Sequence, residues 1–273
     1  MKQRVLSGAV LVLFCAAIIV FNTSFPLALN IAVALISVIA MHEIIKAMGL
    51  QKKWFLCLPS LAVGAAVPFT DGDLQLLVYC LFTALVFSAM ILYHQETTFK
   101  EVGVLYSMAV LIPSGLQCLV ALRDLNPAHG MYYVLIAVFS AWVADAGAYF
   151  AGTFFGKHKL CPEISPKKTV EGAIGGMVVN VAFMLLSGLA LSQGMYHGQV
   201  QAHYLPLFLI GFFGSPISIL GDLSFSLIKR SCHIKDFGSV IPGHGGILDR
   251  FDSVIFTAPF VYLLVRWLPL VTG

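Results

Sequence analysis

Apolar and polar positions in this chain separate on the scale of whole segments rather than single turns. Nine apolar runs reach or approach membrane-spanning length: 5–21, 27–45, 54–70, 74–93, 102–122, 131–154, 170–192, 205–228 and 251–269. A hydrocarbon core of about 30 Å needs about 20 apolar residues in helix. Segments this apolar must be helices, because every backbone N–H and C=O in lipid has to be satisfied within the segment. The pattern predicts an all-α polytopic integral membrane protein of about nine transmembrane helices. Only the tight Asp71-Gly72-Asp73 turn separates the third run from the fourth.

Composition agrees with a lipid environment. Of 273 residues, 59% are hydrophobic and 11% charged, against about 25% charged in a soluble domain. The net charge of +3 says little, but its distribution says more. With nine alternating spans, fourteen of the sixteen lysines and arginines fall on one side, leaving Arg123 and Arg266 on the other. The positive-inside rule then puts the N-terminus and the polar site on the cytoplasmic side and the C-terminus outside. Lys2 and Arg4 precede the first apolar run as in a signal peptide, but no A-x-A cleavage pattern follows, so a retained helix is expected. Six cysteines without a C-x-x-C pair read as small hydrophobes or free thiols. No nucleic-acid partner is expected. The lack of a long soluble tail points to a bacterial inner (plasma) membrane.

The first part, 1–130, offers transmembrane helices and little chemistry. His42-Glu43 begins like a metalloprotease motif, but Lys46 stands where the second histidine belongs, and Glu43 reads as an interfacial residue near Lys46. The chemistry collects in 131–273, a C-terminal transmembrane catalytic region. Asp145 lies well inside the sixth run, beside a stripe of Ala144, Ala148, Gly152 and Gly156 that lets another helix approach closely. That packing is open to a helix of the same chain or of a second copy, which leaves a homodimer open. An acid at this depth costs roughly 2.5–3.5 kcal/mol on insertion scales, which argues for function. The plainer alternative is a structural carboxylate bonded to Ser or Tyr on another helix.

The loop 156–172 brings Ser165-Pro166-Lys167-Lys168-Thr169 to an expected helix start, where Ser165 or Thr169 is a candidate cap. A helix N-terminus beside two lysines suits a phosphate. In the eighth run Gly211, Ser215, Ser218, Asp222, Ser226 and Lys229 follow three- and four-residue steps, making one polar face. Beyond them Ser226–Asp252 packs Lys229, Arg230, Lys235 and Arg250 with Asp236, Asp249, Asp252 and four glycines between two apolar runs. Carboxylates with lysines, arginines and a glycine-rich backbone suit a phosphate-bearing substrate and Mg²⁺, which is held by one or two carboxylates plus substrate phosphates. P-loop, GxSxG and HExxH patterns are absent.

Three segments carry a more specific resemblance. They are Asp145-x-x-Ala148-Tyr149-x-x-Gly152, then Phe155 to Leu160 with Ser165 to Gly172, and the long pattern from Ser226 to Asp252. The last holds Ile228-Lys229-Arg230, Lys235-Asp236-x-Gly238 and Pro242-x-His244-Gly245-Gly246-Ile247-x-Asp249-Arg250-Phe251-Asp252. Together they resemble the phosphatidate cytidylyltransferases, or CDP-diacylglycerol synthases, across about 140–255. That resemblance implies transfer of the cytidylyl group of CTP to phosphatidate, giving CDP-diacylglycerol and pyrophosphate, with Mg²⁺ and room for a second cation. It implies Asp222 and Asp249 as metal ligands. Lys229, Arg230 and Arg250 join them as catalytic candidates, with Asp145 as a supporting acid and His244 as a hydrogen-bonding group or base. Ser165, Lys167, Lys168, Ser226, Lys235, Gly245 and Gly246 are the substrate-binding candidates, and Asp236 and Asp252 orient basic residues. CTP, phosphatidate and the bilayer are the implied partners.

Two other classes compete. An ion-coupled transporter also uses intramembrane carboxylates, but it would spread them along a path to the outer side. A related lipid nucleotidyltransferase or kinase would share the phosphate chemistry and differ in its acceptor.

Overall fold

Eight of the nine apolar runs appear as helices in the computed structural model, which describes residues 25–195, 200–240 and 245–272. They are α1 (Leu27–Ala47), α2 (Trp54–Ala66), α3 (Gly72–Leu92), α4 (Phe99–Leu125), α5 (Gly130–Phe155), α6 (Val170–Leu189), α7 (Tyr204–Ser231) and α8 (Leu248–Trp267). The expected first span, 5–21, lies outside the described residues. Among those described, six helices are long and apolar enough to cross a membrane: α1, α3, α4, α5, α6 with its continuation to Gln193, and α7. The expected nine are not reached among them. Helix α2 has 13 residues and passes into a 3₁₀ turn at Val67–Phe69, where Pro68 lacks the N–H to continue it. Helix α8 carries three charged residues, Asp249, Arg250 and Asp252, among its first five.

The chain is not purely helical. Strands β1 (Lys159–Cys161) and β2 (Ser165–Thr169) form an antiparallel hairpin, with Lys159 opposite Thr169 and Cys161 opposite Ser165. Short strands β3 (Gln201–Ala202) and β4 (Val271–Thr272) pair antiparallel. Of the two candidate caps, Thr169 is the one that opens the helix, and Ser165 lies instead in the hairpin. Pro166 biases its predecessor to extended backbone, and helix starts only after Thr169, whose Oγ1 accepts from Gly172 N at 3.1 Å.

The described residues within 25–120 and 229–251 form one compact unit, and those within 121–228 and 252–272 a second. In the first, α1 packs on α2 and on the 3₁₀ turn, and α2 on α3. Its core holds Met41, Ile44, Leu56, Val67, Phe82, Leu105, Ile112 and Leu116. Polar clips cross between helices: Asn30 Nδ2 donates to Pro68 O at 2.7 Å, and hydroxyl pairs Tyr79–Ser114 and Thr83–Tyr106 lie at 2.6 and 2.9 Å. Thr98 and Glu101 form a reciprocal capping box at the start of α4, and Lys53 reaches the same carboxylate at 2.7 Å. Leu74, Leu77, Leu81, Leu85 and Leu92 line an exposed face of α3 at helical spacing. A leucine face of that length is at home against lipid tails.

In the second unit the small-residue stripe does what its spacing predicts, within the chain. Helix α5 lies against α6 so closely that a Cβ on Gly176 would sit 2.6 Å from Ala144 O, and one on Gly172 2.7 Å from Ala148 O. Tyr133, Ala137, Met184, Leu207, Ile210, Phe225, Val254, Ile255 and Ala258 are buried in this unit.

Candidate active site

Two clusters of charged side chains stand out, one in each unit. The first is built around the segment between α7 and α8. Lys229, in the last turn of α7, places Nζ 2.8 Å from Asp249 Oδ1 in the first turn of α8. Asp249, only 5% exposed at its side chain, also accepts through Oδ2 from the backbone N–H of Phe237 and of Gly246, both at 2.9 Å. The lysine ammonium stands 5.4 Å from the centroid of the Phe237 ring, close enough for a cation–π contribution. Truncating one partner of so buried a pair leaves an uncompensated charge, typically at a cost of about 3–5 kcal/mol.

The glycines of this segment have local causes. Gly245 takes φ +85°, and a Cβ there would come 2.9 Å from Asp249 Oδ2. A Cβ on Gly238 or Gly246 would run into the carboxylate of Glu43. Glu43 belongs to α1, is 2% exposed, and accepts from Ile247 N at 3.0 Å and from Leu248 N at 2.9 Å. Its reading as an interfacial residue near Lys46 is overturned. One acid inside an otherwise apolar helix was the signal available, the same argument that singled out Asp145.

The second cluster lies among α5, β2 and the facing parts of α7 and α8. Lys168 of β2 forms an ion pair with Asp222 of α7, and Ser226 Oγ donates to the same carboxylate at 3.4 Å. Asp145 of α5 accepts from Ser218 Oγ at 3.3 Å and from Ser253 Oγ at 2.9 Å, with Lys168 and Asp222 as electrostatic neighbours. Asp145 thus has the serine partners that its structural reading required, one predicted on the polar face and one, Ser253, not singled out. Asp252, buried, accepts from the backbone N–H of Ser253 at 2.8 Å.

The polar face of α7 divides into two. Its half nearer the start of the helix is closed by Asn180 of α6, whose Nδ2 donates to Gly211 O at 3.2 Å and Ser215 Oγ at 3.1 Å, with Ser140 Oγ at 3.4 Å. That half joins helices. The other half, from Ser218 to Lys229, carries the charge.

Lys167 and Lys168 do not act as a pair. Successive residues of a strand point to opposite faces, so Lys168 turns to Asp222 while Lys167 is exposed. Ser165 sits in the hairpin opposite Cys161. Glu171 accepts from Lys157 N at 3.0 Å and from His158 N at 3.1 Å, and pairs with His158 Nδ1 at 2.5 Å, tying the hairpin entry to α6. Arg230 is exposed and donates to Ile234 O at 3.4 Å. Lys235 and Asp236 are exposed, and Arg250 is half-buried. His244, with Pro242 and Gly243, lies outside the described residues.

Among the described residues, no group of three or more His, Cys, Asp or Glu converges as a closed metal cage. Taken one cluster at a time, each carboxylate still fits Mg²⁺, which keeps waters and takes one or two carboxylates with substrate phosphates. A carboxylate offers about four lone-pair directions. Asp222 has the contacts from Lys168 and Ser226, and Asp249 the contacts from Lys229, Phe237 N and Gly246 N. Each keeps capacity for a cation.

A model of the Cytidylyltransferase family matches residues 2–268 of the chain. The phosphatidate cytidylyltransferase of Bacillus subtilis is 35% identical over 277 residues, which covers 97% of each chain. The phosphatidate cytidylyltransferase of Aquifex aeolicus is 35% identical over 225 residues, 77% of this chain and 79% of its own. That of Staphylococcus epidermidis is 31% identical over 274 residues, 97% and 99% of the two chains.

Proposed function

The chain belongs to the cytidylyltransferase family, and on that premise we propose that it is a phosphatidate cytidylyltransferase of phospholipid synthesis. It transfers the cytidylyl group of CTP to phosphatidate. The observation that carries this reading is the likeness to the Bacillus subtilis enzyme over 97% of both chains. The charged clusters give it chemical support, since each joins a carboxylate to a lysine.

A phosphatidate phosphate oxygen attacks the α-phosphorus of CTP. The bond from that phosphorus to the oxygen bridging to the β-phosphate breaks, and pyrophosphate departs with the electron pair. The chain itself supplies positioning and charge rather than covalent catalysis. Lys168 and Lys229 pair with Asp222 and Asp249, and their ammoniums are at hand for substrate phosphates. Lys167, Arg230, Lys235 and Arg250 add positive charge for the triphosphate and the lipid headgroup, with Ser165 and Ser226 as hydroxyl donors. Gly245 and Gly246 let the backbone come close to the carboxylates of Asp249 and Glu43 and so shape the segment that carries Asp249. Asp145 holds Ser218 and Ser253, and His244 contributes a hydrogen bond.

Asp222 in one cluster and Asp249 in the other are each a residue that would hold Mg²⁺. When bound, it would neutralise charge that builds up on the leaving pyrophosphate. Charge counting along the spans favours a site open to the cytoplasm, where CTP is found, with the acyl chains of phosphatidate remaining in the membrane.

The test is product formation by the purified protein in detergent or liposomes, with labelled CTP and phosphatidate, with and without Mg²⁺. Mg²⁺-dependent CDP-diacylglycerol is expected. A folded protein that makes no lipid nucleotide from phosphatidate or other lipid phosphates would sink the assignment.

A further inference from the structure

Helix α8 starts at Leu248, and the N–H groups at its start have no partner within the helix. The group that takes two of them comes from far along the chain. Glu43 accepts one N–H on each carboxylate oxygen, Ile247 on Oε1 and Leu248 on Oε2. Immediately beside them Asp249 Oδ2 accepts from Gly246 and Phe237. Two carboxylates therefore fix four backbone N–H groups of one segment. The fit is tight, since neither Gly238 nor Gly246 leaves room for a Cβ against Glu43. Glu43 stands on a helix whose neighbouring residues Met41, Ile44 and Ile45 are all buried, so its carboxylate is a firm post. Burying an acid at 2% exposure is unfavourable unless its oxygens are bonded, and here they are bonded to the segment that carries Asp249.

We propose that Glu43 is a positioning residue for the transfer: it fixes the backbone at 246–248 and thereby sets Asp249, and its partner Lys229, in working geometry. The inference rests on the cytidylyltransferase reading for its catalytic consequence, but the tether itself does not. Glutamine cannot replace the group. It keeps one oxygen and turns an NH₂ toward an N–H. Aspartate keeps the charge and falls one methylene short.

The experiment compares wild type, Glu43→Gln, Glu43→Asp and Ser37→Ala. Ser37 shares α1, is fully buried, and its Oγ has no hydrogen-bond partner among the described residues, so its variant controls for disturbance of that helix. Three quantities are read: kcat and KM for CTP, the rate of tryptic cutting after Lys235 followed by fragment mass, and Tm in detergent. For Glu43→Gln, kcat should fall about 10- to 100-fold with KM for CTP changed less than about threefold, the pattern of lost positioning. Cutting after Lys235, an exposed residue of the tethered segment, should quicken about tenfold through local opening. Glu43→Asp should fold and show the same two changes in smaller measure. Ser37→Ala should match wild type in both.

Wild-type kcat and cutting rate in Glu43→Gln would overturn the proposal. So would a Glu43→Gln that fails to fold beside a fully active Glu43→Asp, because the role would then be folding alone. Should wild type make no CDP-diacylglycerol, the reaction reading falls, and the cutting rates alone still decide the tether.

Discussion

Lys168 and Asp222 form an ion pair between a β-hairpin and a membrane helix, with each side chain about a quarter or less exposed. The pair gives an aspartate at the edge of an apolar helix a counter-charge from within the second unit. Its lysine is the one of two adjacent lysines that the strand turns inward.

Replacing Lys168 by methionine should therefore leave Asp222 without its counter-charge. Product formation should fall about 100-fold, a typical loss when a charge-stabilising donor is removed. Lys167→Met, on the outward face, should lose less than about tenfold, since exposed charges are well screened. Steady-state assays of both variants, at two salt concentrations, check the ranking. Equal losses would contradict the division of labour.

Asp249→Asn should be more damaging than a lost charge alone, because Asp249 also holds Phe237 N and Gly246 N. Activity should fall at least about 100-fold. Lys229→Met should do the same, and the double variant should lose much less than the sum of the two, as for residues in direct contact. A double-mutant cycle on kcat/KM measures the coupling.

Gly176→Val places a side chain where a Cβ already meets Ala144 O at 2.6 Å. Overpacking of this kind costs about 1–3 kcal/mol or more, so Tm in detergent should drop by several degrees. Gly103→Ala, with nothing among the described residues within 4 Å of the added carbon in α4, should hold or slightly raise Tm. Thermal melts of the two variants side by side test whether close packing of α5 on α6 sets stability.

Chelation should abolish product formation, and Mg²⁺ should restore it, while Tm moves little without substrate. The expectation follows from the open donor set. A cation held by one or two carboxylates with phosphates adds little to the fold, unlike a closed structural site. A large fall in Tm on chelation would point instead to a metal built into the scaffold.

Much of the helical pattern was legible because lipid imposes one rule on every span, and eight runs became helices close to their expected limits. Thr169 as a cap, the Ala144–Gly156 stripe and the face from Ser218 to Lys229 followed from local spacing. The misses have one cause in common: they depend on partners distant in sequence. Residues 165–169 carried no strong strand signal, and a strand there needs 159–161 to pair with. Glu43 looked like a boundary charge because its acceptor role is defined by Ile247 and Leu248. Asn180 was hidden for the same reason, its purpose lying in Gly211 and Ser215. The grouping of 229–251 with the described residues up to 120 also rests on contacts distant in sequence.

The bond from Ile247 to Glu43 spans 204 positions of chain, and this has a consequence for biogenesis. Helices of a membrane protein can insert one by one before they associate. Glu43 enters with its own helix and must wait for a further 204 positions of chain to be synthesised before its partners exist. A ribosome stalled after α7 would leave a chain with its helices threaded and that carboxylate unmatched. Quality-control proteases that sense an exposed acid in an apolar helix could tell such a fragment from the finished protein.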